Sequence, residues 1–78
     1  MDNDAKLKKI FLELFEIKDT PITAWRYNEL PMWDSVGHMS MISAVESAFD
    51  IMLDTDDIIA WNSYEKGKEI LTKYGINI

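Results

Sequence analysis

With 78 residues, no cysteine and one histidine, the chain has length for a single domain, expected to span 1–78, and no material for disulfides, thiolate metal sites or a histidine cluster. Its 47% hydrophobic and 28% charged residues are ordinary for a folded globule, and a domain this small leaves little room for an enclosed catalytic pocket, so function is expected on the surface. The net charge of -6 is concentrated: residues 27–65 hold eight acids and no Lys or Arg, a balance that repels nucleic acid and anionic membrane and favours partners with basic faces.

Leu7, Ile10, Phe11 and Leu14 recur at helical spacing, so residues 4–16 read as an amphipathic first helix with Asp4 as its cap. The acidic start, Asp2-Asn3-Asp4, lacks the basic region of a secretory leader, and no apolar run reaches membrane-spanning length; the expected compartment is the cytoplasm. From Lys18 to Met32 the periodicity fails and Pro21, Asn28 and Pro31 punctuate the chain, which predicts a long loop anchored by Ile22, Trp25, Tyr27 and Leu30. Pro31 disfavours helix at Leu30 and prepares a clean start at Asp34.

Asp34 and Ser35 are both good N-cap residues, and Val36, Met39, Ile42, Val45 and Phe49 follow at helical spacing, predicting a second helix over 34–49. Trp33 reads as a hydrophobic staple at its entrance, or else as an exposed aromatic touching a partner or cargo, and His38 as a surface histidine in its first turn, with no partner spacing that makes it a base. The serine thus stands where a helix offers unpaired amides and partial positive charge, a setting that tolerates a phosphate on its hydroxyl.

Asp54 or Thr55 can cap a short helix near 55–60, with Asp56 and Asp57 in its first turn; this acidic cluster lacks the central glycine and terminal glutamate of a calcium loop, so no metal is expected. Asn62 with Glu65 suggests a capping box for a closing helix over 63–74, striped by Tyr64, Gly67, Ile70, Leu71 and Tyr74. Gly67 permits close approach to a neighbour, Gly75 marks the stop, and Ile76-Asn77-Ile78 reads as a frayed end. No strand or hairpin pattern occurs, so the expected fold is all-α, with three principal helices plus one short helix.

Trp33-Asp34-Ser35-Val36-Gly37-His38, the apolar helix behind it ending in Glu46-Ser47-Ala48-Phe49-Asp50-Ile51, and the closing helix together resemble the acyl, aminoacyl and peptidyl carrier proteins over nearly the whole chain. The resemblance implies a non-catalytic, free-standing small carrier with an acyl-carrier-like bundle, expected as a monomer. Ser35 would bear a 4'-phosphopantetheine arm delivered from coenzyme A by a phosphopantetheinyl transferase, and Asp34 would help position that transferase. The arm's thiol would hold an acyl cargo as a thioester for loading and acyl-transferring enzymes. Val36 and Met41 are the expected apolar partner contacts, Ile58 is expected to wall the groove between the second and third helices, and Asp50, Asp54, Asp56 and Asp57 are expected to steer partners. Val36 stands where Leu is commoner, and Ser40, Ser47 and Ala48 make the second helix less acidic than is usual in the family. Two alternatives remain open from sequence: an aminoacyl or peptidyl carrier of the same fold, and an unmodified acidic helical adaptor. A self-contained enzyme is not expected, because one histidine and scattered acids assemble no nucleophile, base and oxyanion donor.

Overall fold

The computed structural model describes residues 2–78, and its regular elements are four α-helices and one 3-10 turn. They run α1 (Asn3–Leu14), the 3-10 turn (Ile22–Ala24), α2 (Ser35–Phe49), α3 (Thr55–Ala60) and α4 (Tyr64–Lys73). The chain is all-helical, as its periodicity predicts. A single bridge, Arg26 to Ser63, is the one β-type pairing among the described residues.

The caps explain where the helices begin. Asp2, not Asp4, caps α1, its carboxylate accepting from the Ala5 amide at 2.7 Å. Asp4 is thereby released to accept the Tyr64 hydroxyl at 2.8 Å, tying the start of α1 to α4, with Lys8 and Lys68 beside it at 3.5 and 3.6 Å. Ser63, not Asn62, caps α4 through the Lys66 amide at 3.0 Å. The C-terminus is not frayed: Ile76 N–H donates to the Leu71 carbonyl, the Asn77 carbonyl accepts from Asn3 Nδ2 at 2.9 Å, and Ile76 and Ile78 pack on the core.

Leu7, Phe11 and Phe15 of the first helical segment face Met41, Ile42 and Val45 of α2 and Ile70 and Leu71 of α4 in one core. Its centre is aromatic. Phe11 touches Trp25, Trp33 and Tyr64 at ring-centroid distances of 5.9, 5.2 and 5.1 Å, and Phe15 stacks on Trp33 at 5.2 Å. The long α1–α2 connection is held by its expected anchors: Trp25 and Leu30 are buried, Ile22 and Tyr27 half-buried against the core. Backbone bonds from Tyr27 N–H to the Asn62 carbonyl and from Tyr64 N–H to the Trp25 carbonyl, both 3.0 Å, fasten this loop to the α3–α4 junction. Gly67 lies against Trp61 so closely that a Cβ there would stand 2.2 Å from a ring carbon.

Candidate functional site: a serine at the head of α2 and an adjoining groove

Trp33, Asp34 and Ser35 divide the work at the head of α2. The Asp34 carboxylate accepts from the Gly37 amide at 2.8 Å and its carbonyl from the His38 amide at 2.7 Å, so Asp34 is the N-cap. Ser35 is therefore the first helical residue. It is exposed, and its hydroxyl takes no part in the cap. With the Gly37 and His38 amides taken by Asp34, the Ser35 and Val36 amides remain at the positive end of α2, which favours a phosphate there. The preceding loop presses close: a Cβ at Gly37 would stand 2.0 Å from the Met32 carbonyl oxygen.

Beside Ser35, a groove of about 380 Å³ opens between α2 and the α3–α4 corner, walled chiefly by Tyr27, His38, Met39, Ile58, Ile59 and Trp61. His38 is the polar link across its base. Trp33 Nε1–H donates to His38 Nδ1 at 2.9 Å, so Nδ1 accepts and Nε2 carries the proton; Nε2–H then donates to the Ile58 carbonyl at 2.7 Å. That carbonyl belongs to the last turn of α3, where the helix itself supplies no donor. His38 also lies parallel to Trp33 at 6.1 Å and edge-on to Tyr27 at 5.6 Å.

The expected surface residues divide into those that are available and those that are not. Val36 is 77% exposed, and Asp50, Asp54 and Asp56 are exposed. Ile58 lies in the groove wall, as expected. Met41 is not a partner contact: it is fully buried, because α2 turns the stripe His38, Met41, Ile42, Val45 inward, and Met39, expected in the core, is instead 51% exposed beside Ser35. Asp57 is not free to steer a partner. At 8% exposure its carboxylate accepts from Lys73 Nζ and the Tyr74 hydroxyl, each at 2.6 Å. The hydrogen bond from Lys73, then that from Tyr74, holds the Asp57 carboxyl below its ordinary range. Trp33 is buried at the entrance of α2 and not exposed to a partner, and it meets His38 one turn into the helix through a hydrogen bond as well as ring packing, where a hydrophobic staple has an apolar residue.

His38, Met39, Ile59 and Trp61 are groove residues to which the sequence assigned no such place. His38 had a legible signal: it stands one turn ahead of Met41 and Ile42, on their face. Comparison of the chain with protein-family models, curated proteins and solved structures gave no match. Among the described residues no helix is long and apolar enough to cross a membrane.

Proposed function

We propose that this chain is a carrier protein of the acyl-carrier kind, modified on Ser35 with 4'-phosphopantetheine. One observation carries the reading: an exposed serine hydroxyl, left free by the neighbouring Asp34 cap, stands at the positive end of α2 on the lip of an apolar groove. The residues fit the group. The helix end suits the phosphate, and the groove offers the apolar part of an arm a wall of Met39, Ile58 and Ile59.

In loading, Ser35 Oγ forms a bond to the phosphorus of coenzyme A's pyrophosphate and gives its proton to the transferase, as the bond to the departing adenosine bisphosphate breaks. When bound, the arm supplies a terminal thiol that carries cargo as a thioester. Everything else the chain does is positioning. Asp34 fixes the start of α2 and hence the direction of Ser35; Val36 and Met39 offer apolar contact to the transferase and to acyl-transferring enzymes; Asp50, Asp54 and Asp56 attract their basic faces. Tethering raises the effective concentration of cargo at each partner site.

The test is intact mass after incubation with coenzyme A, magnesium and a broad-specificity phosphopantetheinyl transferase, on protein first shown to be unmodified. A gain of one phosphopantetheine in the parent, absent from Ser35→Ala, is the expected result. A folded parent that gains nothing would instead be an acidic helical adaptor.

A further inference from the structure

The groove beside Ser35 has a floor, and that floor decides what cargo it can shelter. His38, on α2, donates Nε2–H to the Ile58 carbonyl in the last turn of α3 at 2.7 Å and accepts Trp33 Nε1–H, from the loop before α2, at 2.9 Å. Trp33, with no exposed surface, lies parallel to the His38 ring at 6.1 Å, and Trp61, 1% exposed, walls the groove beside it. Trp33 is in turn packed on Phe11 and Phe15, both at 5.2 Å, so the space inward of His38 is filled by rings at contact distance. Trp61 cannot yield toward α4, because its ring already lies against the Gly67 backbone. To pass between α2 and α3, an alkyl chain would have to break the His38 bridge and leave the Trp33 N–H and the Ile58 carbonyl unpaired among apolar neighbours.

We infer that His38 bolts α2 to α3 and closes the bundle interior to cargo, so that this carrier shelters only a short acyl group in the surface groove and leaves longer chains outside. The inference rests on the carrier reading and adds to it a substrate class and a specificity-determining residue. His38 acts as a positioning residue: it ties α2 to α3 and lines the wall of the groove.

The experiment loads parent and His38→Ala protein with acetyl-, butanoyl-, octanoyl- and dodecanoyl-phosphopantetheine from the corresponding coenzyme A thioesters. Intact mass verifies loading; thermal melting and the Trp33 indole N–H resonance are the readouts. In the parent, melting temperature and indole resonance are expected to stop changing once the chain exceeds butanoyl. A chain that entered the core would raise the melting temperature by about 4 °C or more, since each buried methylene adds to stability. In His38→Ala, the space the ring vacates is expected to admit a few further carbons, so octanoyl is expected to raise melting relative to butanoyl. That difference is what counts, because loss of a merely structural bond lowers both forms alike.

A parent whose melting temperature climbs through octanoyl to dodecanoyl, with the Trp33 resonance shifting in step, overturns the inference while leaving the carrier reading intact. A folded His38→Ala whose series is as flat as the parent's overturns the role of His38; if that variant does not fold, the parent series still decides whether the interior is closed, and His38→Gln takes its place as the test of the bridge. Failure of the parent to gain any mass defeats the carrier reading, and the inference with it.

Discussion

Because Asp34, and not Ser35, holds the Gly37 amide, the two neighbours separate in a mutational test. Ser35→Ala removes an exposed hydroxyl outside the cap and is expected to leave stability within about 0.5 kcal/mol of the parent. Asp34→Ala removes the cap and is expected to cost about 1 kcal/mol, a fall in melting temperature of roughly 4 to 8 °C. Paired thermal melts check both, and a larger loss in Ser35→Ala would make the serine the cap. Two other aspartates set the acid sensitivity of the fold. Asp4 is held below its ordinary value of 3.8 chiefly by the Tyr64 hydroxyl, against the opposing effect of burial, with Lys68 and Lys8 adding to the lowering. Asp57 is lowered from the same value by Lys73 and then Tyr74. A carboxyl that ionises more readily when folded contributes stability above its unfolded pKa. That contribution disappears as pH falls from 3.8 through the lower folded value. Denaturation of Asp57→Asn at stepped pH is therefore expected to show lower stability than the parent at neutral pH and a shallower decline below pH 3.8. Parallel declines would mean that the Lys73–Asp57–Tyr74 cluster is not formed.

At the scale of helices, the decisive question is which way α2 is turned. Val36, Met39, Met41, Ile42 and Val45 contain two overlapping stripes, and apolar spacing alone favours the one that includes Val36 and Met39. The one realised begins with His38, a polar residue admitted to the inner face because Trp33 and the Ile58 carbonyl satisfy both ring nitrogens. That satisfaction depends on a residue 20 positions away, which no local pattern records. Asp57 escaped for the same reason: its partners lie 16 and 17 positions on, in another element. The cap of α2 is narrowed by sequence only to Asp34 or Ser35, whereas helix existence follows from local rules of spacing and was legible. The choice between adjacent cap formers at Asn62 and Ser63 was not, because both residues are able to cap. Gly67 shows an element-level conflict in measurable form. Alanine there would gain about 1 kcal/mol of helix propensity, but its Cβ would fall 2.2 Å from a ring carbon of Trp61, an overpacking that costs about 1 to 3 kcal/mol in a filled core. Gly67→Ala is expected to be destabilised in urea denaturation and to change the Trp61 environment at the groove. A stabilised variant would show that α4 does not press on Trp61.

Over the whole molecule the charges are sorted by element. All the Lys and Arg residues lie before 27 or after 65, in α1, the long connection and α4, whereas α2, α3 and their junction carry only acids. Part of this asymmetry is internal: Lys73 reaches across to Asp57, and Lys6 lies over the Phe49 ring at 5.0 Å and meets the Ala48 carbonyl at the end of α2. What remains for partners is the exposed set, Asp50, Asp54 and Asp56, on the side of the bundle formed by the end of α2 and the start of α3. Separating the two sets gives a test of long-range attraction that a change in stability cannot mimic. The double reversal Asp54→Lys with Asp56→Lys alters exposed positions at the N-cap and first turn of α3, and costs the helix the dipole benefit of each acid and a similar repulsion from each lysine, about 0.3 to 1 kcal/mol apiece. If these acids steer a basic transferase, kcat/KM for arm transfer to Ser35 is expected to fall about tenfold at low salt. It should then converge on the parent's value near 1 M salt, where the screening length shrinks to about 3 Å. Asp57→Asn, by contrast, is expected to lower the melting temperature while leaving the transfer rate of the folded fraction unchanged, because that carboxylate is already committed to Lys73 and Tyr74. Equal rates for the double variant and the parent at low salt would remove steering from α3 and leave recognition to the apolar contacts of Val36 and Met39.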